Sequence, residues 1–150
     1  MSESLTYILP TLLLLSSSHH LAVHNQLQGK WEVISETWGG WQVPDDIRAT
    51  ELEIKGDVVT QSSMNHTDNP GKDRLETAAL RLRRFDLPPA LDLVDPQDQE
   101  MGYFAAIYKF EKDRLTICYV IRRSLDRPTD FTSTKDNANA VVVLKRLKSS

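Results

Sequence analysis

From Gln28 onward, apolar and charged side chains alternate in short stretches, and Gly, Pro, Asp and Asn interrupt them every eight to twelve residues. A period of two puts successive side chains on opposite faces of an extended chain, so each stretch reads as a half-buried strand and each interruption as a turn. Lys30-Trp31-Glu32-Val33-Ile34-Ser35-Glu36-Thr37 opens the series: Glu32 and Glu36 mark a wet face, Trp31 and Val33 the dry one, and Gly39-Gly40 ends it. Pro44-Asp45-Asp46-Ile47-Arg48 predicts a short helical connector, with proline at the first helical position and acids where the helix dipole favours them. Glu51-Leu52-Glu53-Ile54-Lys55 alternates strictly, and Gly56-Asp57 before Val58-Val59-Thr60 signals a hairpin.

Leu75 to Phe85 admits two periods. Leu75, Ala78, Ala79, Leu82 and Phe85 fit a helix stripe, whereas Leu80 and Leu82 alternating with Arg81 and Arg83 fit a strand. Strand is the choice, because its neighbours on both sides are strands. Arg81, Arg83 and Arg84 then form a solvated face, with no glycine-rich nest to make them an anion site. Pro88-Pro89 forces a turn before Ala90-Leu91-Asp92-Leu93, and Tyr103–Phe110 and Leu115–Ile121 flank a four-residue loop, Glu111-Lys112-Asp113-Arg114. Asp126 to Thr134 is a long polar link, and Ala140 to Leu147 a closing strand apolar enough for burial on both sides. About eight strands in hairpin order is the number at which an antiparallel sheet closes on itself, and closure would hide an edge as greasy as Val141-Val142-Val143-Leu144.

A length of 150 residues suits one domain burying roughly 70% of its unfolded surface. A formal charge of -3, from 21 acids against 18 bases, supplies no cationic field for a phosphate backbone, so nucleic acid is not an expected partner. Cys118 is the lone cysteine, which excludes an internal disulfide and a thiolate metal site, and it reads as a packed strand residue. Residues 1–26 form an N-terminal apolar segment, and 27–150 the barrel domain. The run from Leu5 to Leu15, broken by Pro10 and followed by Ser16, Ser17 and Ser18, is too short for a stable membrane span. It reads either as a signal peptide, which favours export although Glu3 stands where a base is expected, or as a helix capping one end of the barrel.

Gly29-Lys30-Trp31 resembles the Gly-x-Trp signature of lipocalins, and Lys145-Arg146 would supply the basic partner that those barrels stack over the tryptophan. A cation over an indole contributes ~0.5 to 2 kcal/mol and would tie the first strand to the last. More of the chain, most of 27–147, is similar to an uncharacterised lipocalin-like domain family described from planctomycetes. Leu27-Gln28-Gly29-Lys30-Trp31-Glu32-Val33, Leu52-Glu53-Ile54-Lys55-Gly56-Asp57, Asp113-Arg114-Leu115-Thr116-Ile117-Cys118 and Arg127-Pro128-Thr129-Asp130-Phe131 carry the resemblance, with Leu144-Lys145-Arg146 closing and Pro88-Pro89-Ala90-Leu91-Asp92-Leu93 weaker. It implies a calycin-type fold and no particular reaction. The expected fold is therefore all-β: an antiparallel up-and-down, lipocalin-like barrel of about eight strands with a short helical connector and the N-terminal apolar segment.

No catalytic residue, metal site or cofactor is expected. His20 and His24 share helical spacing but lack the intervening glutamate of a metalloprotease helix, and Asp86, Asp92, Asp95 and Asp98 read as turn residues. Val33, Leu52, Ile54, Leu80, Leu82, Tyr108, Phe110, Leu115, Ile117 and Tyr119 are predicted to face inward, opposite Glu32, Glu51, Lys55, Arg81, Lys109 and Glu111. Those ten could line a pocket for a small apolar or amphipathic molecule, fixed by the two tyrosines and Arg127, or they could form a filled core. Gly29, Trp31, Phe131, Lys145 and Arg146 are the candidates for barrel closure; Arg127 and Phe131 read first as a barrel-end brace, the ring packing and the guanidinium pairing with a carboxylate, and second as a ligand clamp. Trp38 and Trp41, beside the Gly39-Gly40 turn, are candidates for docking a protein partner if the core is solid.

Overall fold

Strand formation follows the alternation almost throughout. A computed structural model describes residues 21–63, 76–83, 86–94, 104–120 and 126–148. Its strands are β1 (Gly29–Trp38), β2 (Trp41–Gln42), β3 (Ala49–Lys55), β4 (Val58–Ser63), β5 (Glu76–Arg83), β6 (Ala90–Val94), β7 (Phe104–Glu111), β8 (Arg114–Val120) and β9 (Asn139–Arg146). All pairings are antiparallel; apart from β2, which pairs only with β1, successive strands are neighbours in the sheet, β1 lying beside β3, and β9 returns to pair with β1. The result is a closed eight-stranded up-and-down barrel of lipocalin-like form, with the two-residue β2 appended to β1.

Residues 76–83 are a strand, and the register shows why. Leu80 and Leu82 lie opposite Leu93 and Leu91 on one face, while Arg81 lies opposite Asp92 on the other. The stretch after Pro44 is a single turn, as expected of that connector, with the Ile47 and Arg48 amides both donating to the Pro44 carbonyl. One connector is corrected. The β7–β8 connection is tighter than a four-residue loop: Glu111 and Arg114 are already paired, leaving Lys112 and Asp113 as the turn, with Lys112 at a φ of 58°.

A short helix, α1 (21–27), closes one end of the barrel. Its Leu27 is fully buried, and Val23 packs against the inner core, so the expected boundary at 26/27 falls within a helix that belongs to the barrel. Expectations for residues 1–20, with His19 and His20, lie outside the described residues. Side-chain hydrogen bonds pin α1 to the β3–β4 turn. Gln28 donates to the Gly56 carbonyl at 3.0 Å and accepts from the Gly56 amide at 2.7 Å, and His24 Nε2 lies 3.0 Å from Asp57 Oδ1.

The same end carries the closure. Trp31, buried and on the inner face, donates from its indole Nε1 to the Leu27 carbonyl at 2.9 Å. The Arg146 guanidinium lies 4.1 Å from the Trp31 ring centroid and donates to the Gln28 carbonyl at 2.7 Å and to the Gln26 carbonyl. Gly29 sits between them at a φ of 116°, and a Cβ there would come within 3.3 Å of Arg146 Nη1, so this position needs glycine. Lys145, offered beside Arg146 as the partner of Trp31, instead points outward and is exposed, because adjacent residues of a strand take opposite faces. Among the described residues no helix is long and apolar enough to cross a membrane.

Arg146→Ala removes a cation–π contact and two charged hydrogen bonds, and is expected to lower unfolding free energy by about 2–3 kcal/mol in urea titrations. Lys145→Ala should change it by less than about 0.5 kcal/mol. Equal effects of the two would contradict this assignment.

Candidate functional site

Antiparallel partners share a face of the sheet, so the register defines rows of side chains across the inner wall. Val33, Leu144, Leu115 and Phe110 form a deep row. Glu36, Val142, Ile117 and Tyr108 form the next, and Trp38, Ala140, Tyr119 and Ala106 the row nearest the mouth. All ten residues predicted to face inward lie in one inner cluster with Trp31, Leu27, Val59 and Leu91. Their burial is uneven. Val33, Ile54, Leu80, Tyr108, Leu115 and Ile117 are buried, whereas Leu52, Leu82, Phe110 and Tyr119 remain part-exposed, as do Leu93 and Val142 on the same face.

The mouth is aromatic. The Phe104 and Tyr119 rings meet edge to face at a centroid distance of 5.8 Å, and Trp38 lies across Ala140 from Tyr119. At the floor Phe110 packs near Trp31 at 6.5 Å and against Tyr108 at 5.9 Å.

Glu36 is the correction of most consequence. Strict alternation places it on the wet face with Glu32, yet its exposure is only 6%. A bulge explains the difference: the β1–β9 register shifts between Val33 and Ser35, so that Ile34 is the extra residue and Ser35 and Glu36 exchange faces. Glu36 thereby pairs with inward-facing Val142. The Arg48 guanidinium secures the bulge, donating to the Ile34 carbonyl at 2.7 Å, and lies 3.1 Å from Asp45. Trp38 Nε1 donates to Glu36 Oε1 at 2.7 Å. Burial raises the Glu36 pKa, against the smaller opposing effects of the Trp38 hydrogen bond and the Arg48 charge. The adjacent apolar pair Val33-Ile34 is the only trace of the bulge in the sequence.

Arg127 and Phe131, read first as a brace at the barrel end and second as a ligand clamp, do brace, with the guanidinium on a carboxylate and the ring packed, but on the outer wall of the barrel and not at its end. Arg127 Nη1 donates to the Leu91 and Ala106 carbonyls at 2.9 and 2.8 Å, and Nη2 to buried Asp92 at 2.6 Å. It braces β6 against β7 and takes no place in the lumen. Phe131 packs over the outer cluster of Ala90, Ile107, Cys118 and Val141, with Lys109 Nζ 4.8 Å from its ring centroid. These two faces come from one polar link, residues 126–138, folding back across the wall instead of capping an end. Under it, Cys118 is fully buried, and burial together with the Asp130 charge pushes its thiol up to about 11, which makes it a packing residue and not a nucleophile.

A shallow groove of about 360 Å³ lies on this outer face between Asp86–Pro88 and Arg127–Thr129. Of the other acids, Asp86 pairs with Arg83 at 3.7 Å, whereas Asp95 and Asp98, like His66 and Arg84, lie outside the described residues. Compared with known proteins, the chain matches no family model, no curated protein and no solved structure.

A carboxyl whose pKa is raised by folding resists ionisation only in the folded state. Its contribution is complete below about pH 4, where a glutamate is protonated even in the unfolded chain, and is lost as pH rises through the raised value. Urea denaturation of the wild type and Glu36→Gln at pH 4 and pH 7 should therefore show the wild type losing ground to the variant as pH rises. Movement in the opposite direction would show that Glu36 is held by stronger ionic contacts than those described.

Proposed function

We propose that the barrel binds a small apolar or amphipathic molecule in its lumen, without catalysis. The observation that carries this reading is the part-exposure of Leu52, Leu82, Leu93, Phe110, Tyr119 and Val142 on the inner face of a wall closed all the way round. Side chains on a closed inner face reach solvent only through space inside the barrel, which a solid core would not leave. An apolar wall with a few polar groups is the usual make-up of a small-molecule site, and Glu36, Trp38 and Tyr119 supply those groups near the mouth. The ring order and the Arg146–Trp31 stack fit the resemblance to lipocalin-like barrels.

The alternative, a filled core acting through Trp38 and Trp41, draws on the exposure of both indoles, 43% and 52%. The Trp38 indole is nonetheless hydrogen-bonded to an inner-wall carboxyl, which makes it part of the mouth.

Uptake of the neutral dye N-phenyl-1-naphthylamine tests the lumen directly. The wild type should enhance its fluorescence with micromolar affinity, and Val142→Trp, which fills the space from the inner wall, should bind at least tenfold more weakly while remaining folded. A wild type that leaves the dye dark, or a folded Val142→Trp variant that binds it equally well, would defeat the reading.

A further inference from the structure

We infer that the lumen recognises the polar end of its occupant through Glu36, and that this occupant is an amphiphile bearing a protonated amine or similar cationic donor. The inference rests on the lumen reading and adds the chemistry of the head group. Glu36 has two oxygens with different surroundings. Oε1 accepts the Trp38 indole N–H. Oε2 has no hydrogen-bond partner among the described residues and is not sealed from solvent, although the residue as a whole is 94% buried. On the inner face, between Val142 and the mouth, such an oxygen opens into the lumen.

The charge balance favours a cation. Arg48 is the basic group that acts on Glu36, but its guanidinium is directed to the Ile34 carbonyl and to Asp45 and makes no hydrogen bond to Glu36. A carboxylate taken out of water beside Val142 and Ile117 is costly until an opposite charge meets it, whereas a second anion there would be repelled. A neutral hydroxyl would offer one ordinary hydrogen bond, roughly half the strength of a charge-assisted one. The rings of Trp38, Phe104 and Tyr119 gather at the mouth, and aromatic faces attract cations. The rows below Glu36 are apolar, so the head sits at Glu36 and the tail runs toward Leu115 and Phe110. The bulge is what makes this possible: without it the lumen would present Ser35 in place of a carboxyl.

The test is displacement of N-phenyl-1-naphthylamine at about pH 7.5 by decylamine, decanol and decanoate, which share a tail and differ in the head. Decylamine should act at a concentration at least tenfold below decanol, with decanoate weakest. The decylamine-to-decanol ratio is taken within each protein, so that a general change in affinity cancels. It should fall to within threefold in Glu36→Gln and persist in Glu32→Gln, which removes an equal charge from the outer face. Dye uptake with no preference for the amine, or a preference that survives Glu36→Gln, overturns the head-group assignment and leaves the lumen standing. A wild type that takes up no dye overturns both.

Discussion

The pairing of β1 with β9 is the constraint on which the rest of the structure depends. Without it, β9 would be an edge strand whose Val141–Leu144 run could template association with another chain, and the sheet would have no inside. With it, each of the eight barrel strands is paired on both sides and the alternation of side chains becomes a separation of interior from surface. The seam is reinforced at one end by Arg146, which joins the last strand to the Trp31 ring and to the end of α1. Toward the other end it carries the bulge at Ile34, whose carbonyl is held by Arg48 from the link before β3.

These two devices set the two ends of the barrel apart. The end with Trp31, Leu27 and Arg146 is tightly packed, its hydrogen-bonding groups matched between helix, turn and strand. Toward the mouth the wall is looser and carries Glu36, a group that folding would be better without. Carboxyls held in apolar surroundings are a cost that proteins tolerate at sites of recognition, and Glu36 bears that cost where buried Asp92 does not. Asp92 is fully engaged by Arg127 on the outer face and explains itself as a brace.

Much of the fold was legible because period-two patterning is a local signal. Leu52, Ile54, Leu115 and Ile117 could be assigned to a face from their immediate neighbours, and the register leaves them there. What the local pattern does not carry are features that depend on distant chain. The face of Glu36 turns on one extra residue that the pairing with β9 reveals, and the adjacent pair Val33-Ile34 is too slight a break in the alternation to announce it. Arg127 and Phe131 look like site residues because they punctuate a polar link, but whether that link caps the barrel or folds over its wall is decided by the apolar outer surface formed by Ile107, Cys118 and Val141 on three separate strands. Lys145 and Arg146 were indistinguishable as partners for Trp31 until the strand's facing was fixed.

Native-state hydrogen exchange by NMR measures the seam most directly. In a closed barrel the paired amides of Val33–Thr37 and Val141–Leu144 should exchange as slowly as those between β7 and β8, and only through global unfolding. Amides along β1 and β9 that exchange orders of magnitude faster than the β7–β8 pair, through local opening, would mean an open sheet and contradict the account.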